Sequence, residues 1–459
     1  MKINIKGLGA IKETTIDLNK RLTVFCGHNN TGKTYVSYII YALTSGRNFE
    51  PMFLQDDKLK SLLEEKKLIL TIDKEDIWKY RNNTIKHIEE NLNEIFGISK
   101  DQAIKYFPSF SIGFETSKDD FFNKILEESI EGKIEQNQFS LQIKKEKKSL
   151  DIQISMSSTD KISDNSIGFI QFMLLTGIYS SLAFYPITKS IIFPVERNSI
   201  YTFSKELSIK RNMLVDQMQD LSTKKIDPFD FLFKRTTRYP LPIRDGLEIA
   251  EDMNNLQKKD GDYKDFAIEI EEELLQGKVS VSNEGEVQFT SNKAKSKKLP
   301  IHLTASIVKT LSSLVFYLKY LAKKNDLIII DEPELNLHPD NQVILTRLFA
   351  RLINNGFRLL ISTHSDYIVR ELNNLIMLSN NNEEVGQLRE KYGYSTYEYI
   401  DKNEVKAYYF DFKTKTTVAT KELPVSDFGF DVPSIDNTID KLNDVSEDLF
   451  YALKYGDNE

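Results

Sequence analysis

The stretch Arg21–Leu43, RLTVFCGHNNTGKTYVSYIIYAL, decides how the rest of the chain is read. Leu22, Val24, Phe25 and Cys26 form an apolar run of strand character. The run feeds a glycine-bounded loop from Gly27 to Thr34, and the loop opens a helix carrying Val36, Ile39, Ile40 and Leu43. Gly27 and Gly32 let the backbone curl until the N–H groups of the intervening residues, Asn29, Asn30 and Thr31 among them, point inward at an anion. The helix N-terminus adds its partial positive charge. Lys33 is then placed to reach the β- and γ-phosphates of a nucleotide, and the Thr34 hydroxyl to complete the shell of a Mg²⁺ ion. Strand, phosphate loop and helix in this order predict a nucleotide site.

The bulk properties bound the alternatives. At 459 residues the chain holds about three domains' worth of sequence, whose segments are free to interleave. A net charge of −7 excludes a globally basic nucleic-acid binder and leaves room for a local basic patch. The single cysteine, Cys26, forms no intramolecular disulfide, which fits a reducing, cytoplasmic setting, and it reads as a small buried apolar residue. The N-terminus shows no charged-then-apolar leader. Gly168 to Ile187 carries no charge, but Gln171, Thr176, Ser180, Ser181 and Pro186 interrupt it and it runs on into Ile191–Phe193. It reads as a buried helix leading to a core strand, with no membrane span.

In chain order, residues 2–26 read as two or three short strands. The segment 67–73 is strand-like, Ile77 to Phe96 helical, and 139–155 a hairpin whose charged tip (Lys144, Lys145, Lys147, Lys148) is expected in solvent. Residues 200–276 are helix-rich without a sustained heptad pattern. A second hairpin spans 278–289. A helix from Leu303 to Lys324 carries Val308, Leu311, Val315, Leu318 and Leu321 on one stripe. Strands at 327–331 and 358–362 alternate with helices, a short strand is expected near Ile376, and a hairpin at 405–419 precedes a helix from Ser434. That last helix is expected to pack on the sheet or on a partner.

An apolar strand ending in Asp331-Glu332 supplies what a phosphate loop lacks. Asp331 is placed to hold Mg²⁺ through a water, and Glu332 to orient and deprotonate an attacking water. His364, in ISTHS after the next strand, is placed to bond the γ-phosphate or fix that water. His28 reads as a spacer within the loop.

Together GHNNTGKT, IIIDEPELNLHPDNQ and LLISTHS resemble the ATP-binding-cassette heads of the RecF, SMC and OLD group. The fold that this resemblance implies is α/β: a P-loop ABC-ATPase head, a mixed and parallel β-sheet flanked by helices, with α+β and helical insertions. The ATPase is expected from 1–48, 190–200 and 278–425, interrupted by an α+β segment at 49–189 and a helical one at 201–277, with a C-terminal helix at 426–459. ATP and Mg²⁺ are the implied cofactors. Thr304-Ala305-Ser306-Ile307-Val308-Lys309 matches the group's signature segment, which implies that Ser306 meets ATP held by a second copy. Ile307 replaces the glycine that usually follows. Glu196 and Arg197 fall near the junction of the two lobes. Lacking heptad arms and the length for a nuclease domain after His364, the chain is similar to the compact ATPases of bacterial anti-phage systems such as Septu (PtuA) and PARIS. That similarity implies self-association through the heads and control of a separately encoded effector such as a nuclease. The alternative is a RecF-like maintenance ATPase whose basic track, Lys144–Lys148, Lys234-Arg235, Arg238 and Lys293–Lys298, binds DNA.

Overall fold

A computed structural model describes residues 1–46, 56–135, 139–158, 164–204, 207, 239–258, 260–282, 285–293, 297–380 and 382–455. Nine strands build the main sheet. Across it they run Ser111–Phe114, Lys2–Leu8, Ile11–Asp17, Thr417–Leu423, Val405–Thr414, Leu22–Gly27, Arg358–Ser362, Leu327–Asp331 and Ser190–Phe193. The last five are parallel to one another. The other four join through antiparallel ladders and one parallel bridge, Val418 to Ile11. The sheet is therefore mixed, with the phosphate-loop strand inside its parallel half.

Burial on both faces explains why the central strands read as unbroken apolar runs. Every residue of Leu22–Gly27, Leu327–Asp331 and Arg358–Ser362 is buried. Alternation sends Phe25 into one core with the helix Lys33–Thr44. It sends Leu22, Val24 and Cys26 into the other, against Ser306–Tyr320, Pro339–Asn354 and Asp366–Met377. The stripe Val308, Leu311, Val315 and Leu318 faces that second core.

The segment after the phosphate-loop helix contributes Ser111–Phe114 to the edge of the main sheet. It also forms its own antiparallel sheet, ordered Lys67–Thr71, Asp151–Ser158, Phe139–Lys145 and Ile130–Glu135. The second hairpin, Gly277–Val281 with Val287–Ser291, gains a third strand, Lys298–Pro300. Among the described residues no helix is long and apolar enough to cross a membrane.

Two expectations need correction, and a third is narrowed to its partner alternative. Lys145 is buried, and its Nζ donates to the carbonyls of Glu128 at 2.6 Å and Glu146 at 3.2 Å. Period-two alternation places residue 145 on the same face as the buried Leu141, so it points inward while Lys144 reaches Glu131 and Glu146. Ile376 lies in the helix Asp366–Met377, because Ile368, Leu372, Leu375 and Ile376 recur at helical spacing and bury together. Pro433–Tyr455 forms a helix, yet no residue of it is buried, and only Ile435 packs against the core from partial exposure. Lys234, Arg235 and Arg238 lie outside the described residues.

The helix Ser306–Tyr320 is anchored by a buried ion pair, Lys319 Nζ to Glu271 Oε1 at 2.5 Å. Glu271 also accepts from the Val279 N–H at 2.6 Å, tying in the hairpin. Removing one member of such a pair strands the other charge out of water. Lys319→Met is expected to cost about 3–5 kcal/mol, read as a loss in urea-unfolding free energy. A loss below about 1 kcal/mol would mean that Glu271 finds solvent or another cation.

Candidate functional site

The phosphate loop is shaped by its glycines. Gly27 has φ 126° and Gly32 φ 87°. A Cβ at Gly27 would stand 2.0 Å from the Phe410 carbonyl oxygen, and one at Gly32 2.9 Å from Ile11 Cδ1. Any other residue would open the loop. Asn30, at φ 62°, supplies a third left-handed turn within it. Gly32 caps the helix Lys33–Thr44 without a side-chain acceptor, and its first turn holds no acid, so its leading N–H groups have no side-chain acceptor. That cradle suits an anion.

Lys33 lies over the loop, 5 % exposed, with Nζ donating to the carbonyls of Gly27 at 3.1 Å and His28 at 2.8 Å. Burial pushes its amine down to about 8, opposed by the nearby Asp331. Buried Thr31 closes the loop by donating from Oγ1 to the His28 carbonyl at 2.7 Å. The side chain of His28 is turned outward, 3.8 Å from Asp411. Asn29 is exposed on the loop.

The register of the parallel strands brings the acidic end of the site alongside. Asp331 pairs with Ser362, and Ser362 with Phe25 of the phosphate-loop strand. Thr34 Oγ1 donates to Asp331 Oδ2 at 2.8 Å, and Ser362 Oγ donates to Oδ1. Both Asp331 oxygens thus hold hydroxyl hydrogens, an all-oxygen donor set of the kind a hard divalent cation takes up. Glu332 sits at φ 45°, an uncommon backbone for a residue with a Cβ. Its N–H donates to the Ser362 carbonyl at 3.0 Å, and its carboxylate lies 3.6 Å from His364 Nε2. Burial, and then the neighbouring Asp331, raise its carboxyl above the usual range, which favours a base over a spectator anion.

Three residues complete the arrangement. Ser362 was not singled out from sequence, although its place at the end of the strand beside Asp331 follows once that pairing is known. Half-buried Glu334 accepts from the His364 N–H at 2.6 Å and the Thr363 hydroxyl at 2.9 Å, while its Oε2 has no partner among the described residues. Arg197, which the resemblance puts near the junction of the two lobes, is buried. It donates to the carbonyls of Pro194, Asp331, Glu332 and Pro333 at 2.8–3.4 Å. It holds the turn that carries both acids. Lys33, Thr34, Asp331, Glu332 and His364 therefore converge on one end of the sheet. Ser306 does not join them; it is exposed at the start of its own helix.

With this geometry in view, the comparison with known families is specific: the AAA ATPase domain model matches residues 1–369. The chain belongs to the AAA ATPase domain family. No curated protein matches this AAA ATPase chain in sequence. Similar solved structures are SMC heads. One, bound to the C-winged helix domain of ScpA, shares 10% identity over 93% of this chain and 97% of its own, at a TM-score of 0.38. The SMC head domain from Thermotoga maritima shares 10% over 92% and 98%, at 0.32. A Pyrococcus furiosus head with an extended coiled coil, bound to the C-terminal domain of ScpA, shares 12% over 97% and 98%, at 0.35.

Burial, reinforced by Lys33, lowers the His364 imidazole from 6.5 to about 4. In this ATPase domain the ring is then neutral at pH 7. As pH falls from 6.5 toward 4 the unfolded chain takes up the proton first, so His364 removes stability across that window and none above it. An NMR titration of the ring should show a midpoint well below 6, and His364→Gln should flatten the acid side of the unfolding profile. A midpoint at 6.5 or higher would overturn the assignment.

Proposed function

We propose that the chain is an ATP-binding and hydrolysing ABC-type switch or scaffold subunit. On this reading it serves a bacterial anti-phage complex and controls a separately encoded effector such as a nuclease. The observation that carries the ATPase part is the 2.8 Å contact between Thr34 and Asp331, with Glu332 and His364 beside it. Gly27, Asn29, Asn30, Thr31 and Gly32 present backbone N–H groups to the phosphates, and Lys33 exchanges its carbonyl partners for phosphate oxygens. Thr34 and Asp331 hold Mg²⁺, which when bound neutralises charge on the β- and γ-phosphates. Glu332 takes the proton of the attacking water, and neutral His364 orients that water or the γ-phosphate. The exposed Ser306, leading a fifteen-residue helix, is free to meet the nucleotide of a second copy.

The anti-phage assignment rests on the resemblance of the three motifs, and two surface features support a partner over DNA. Lys145 is buried and Lys144 engages Glu131 and Glu146, which takes two lysines out of the basic track that DNA binding would need. The helix Pro433–Tyr455 stands clear of the core with Leu442, Val445, Leu449 and Leu453 exposed. It carries five acidic residues against two basic ones. Like charges oppose pairing with a second copy, and the helix suits an apolar groove with a basic rim on another protein.

Two measurements test this. Glu332→Gln should keep ATP binding and lower turnover by about 10²–10⁴-fold; unchanged turnover would remove Glu332 from the chemistry. Ending the chain before Pro433 should leave turnover intact and abolish co-purification with the product of the adjacent gene. Retained co-purification would place the effector surface elsewhere.

A further inference from the structure

Far from the phosphate loop, a cavity of about 660 Å³ opens between the inserted segment and the main sheet. Its walls include Arg358, the first residue of the strand that ends at Ser362, and Lys20, which precedes the phosphate-loop strand. The cavity therefore lies at the opposite end of the parallel strands from Gly27 and Asp331. Arg81, from the helix Lys74–Glu90, also lines it.

Arg81 is 1 % exposed. Its guanidinium lies 3.4 Å from the Phe114 ring centroid and 4.2 Å from that of Phe121, so aromatic faces hold it in place. Those rings offer nothing to its N–H edge, and Nε and Nη1 have no hydrogen-bond partner among the described residues. Burial lowers its pKa to about 9. A guanidinium keeps its proton in proteins, so Arg81 stays a cation on the cavity wall. Arg358 is buried as well. Its Nη1 donates to the carbonyls of Leu18, Asn19 and Lys20 at 3.0–3.3 Å, its Nε has no partner among the described residues, and Glu404 opposes the burial that lowers its pKa. Lys124 adds a further cation; burial first, and then Lys124, Arg358 and Arg81, oppose a proton on the Met1 amine, while Asp17 favours it. The wall also carries Asp17, Glu127 and Glu128. Asp17 accepts from the Asn19 backbone at 2.9 Å.

We propose that this cavity is a second anion site, taking a small phosphate ester of nucleotide size whose phosphate meets the edges of Arg81 and Arg358. Planar guanidinium edges bind phosphate oxygens in pairs, and the volume is that of a small-molecule pocket. The acids on the wall suit a ligand that also brings hydroxyl or amine donors, and the exposed side of Tyr185 gives it an aromatic surface.

Calorimetry on the full chain carrying Lys33→Ala, which weakens the phosphate loop, isolates the site. AMP and inorganic pyrophosphate are the probes, with succinate as a dicarboxylate control. A binding event for AMP or pyrophosphate should survive Lys33→Ala and weaken at least tenfold when Arg81→Met is added. AMP binding the tighter would identify the ester as the ligand, and pyrophosphate the tighter would overturn the nucleotide-sized assignment. Loss of all binding in Lys33→Ala, indifference to Arg81→Met, or equal binding of succinate would overturn the site. Should Arg81→Met fail to fold, tungstate soaked into crystals of the unsubstituted chain decides: anomalous density between Arg81 and Arg358 supports the site, and its absence overturns it.

Discussion

The contact between the Thr34 hydroxyl and the Asp331 carboxylate joins residues 297 positions apart, and the arrangement of the ATPase site depends on it. It forms because the strand Arg358–Ser362 lies between the phosphate-loop strand and the acidic strand, with all three parallel and in register. A one-residue slip in either ladder would turn Asp331 to the other face of the sheet and leave Thr34 without it. Register is secured by burial: each of these strands is apolar on both faces, so any slip would move buried side chains on two sides at once. The chemistry at the strand ends is thus specified by residues that take no part in it.

That dependence explains what could be read in advance. The phosphate loop, the acidic strand end and His364 are local patterns, each a few residues long, with chemistry in their spacing. Ser362 and Glu334 act through partners that are near only after folding, and nothing local marks them; the position of Arg197 is marked, but the carbonyls that it holds are near only after folding. The same distinction covers the corrections. Alternation was sufficient to turn Lys145 inward, but a run of lysines at a hairpin tip suggested solvent. A strand near Ile376 would extend the alternation of strands and helices, whereas the spacing of Ile376 from Ile368 and Leu372 is helical. The C-terminal helix was legible from periodicity; what its apolar face meets was not, because periodicity says that a face wants burial without saying where.

The segment between the phosphate-loop helix and the strand Ser190–Phe193 is continuous with the main sheet. The segment after the first helix returns one strand, Ser111–Phe114, to the sheet edge, and its own helix Lys74–Glu90 packs near the far end of the parallel strands. That segment is therefore built into the main sheet. At that end Arg358 ties the strand leading to His364 to the carbonyls of residues 18–20, just ahead of the phosphate-loop strand.

Arg197 shows how the far more strained end of the site is held. A left-handed backbone at Glu332 costs about 1–2 kcal/mol relative to ordinary helical geometry. Arg197 counters this by donating to the carbonyls on both sides of that residue, and the Ser362 carbonyl takes the Glu332 N–H. Hydrogen bonds from a charged donor contribute about 1.5–3 kcal/mol each, so two suffice to hold the turn. Burial lowers the Arg197 pKa, but Asp331, Glu334 and Glu332 oppose that shift, and its charge is matched within the fold. Burial lowers the Arg81 pKa as well, and Arg81 lines a cavity whose wall also carries Asp17, Glu127 and Glu128. One buried arginine spends its N–H groups on the carbonyls of a turn; the other keeps Nε and Nη1 without partners among the described residues.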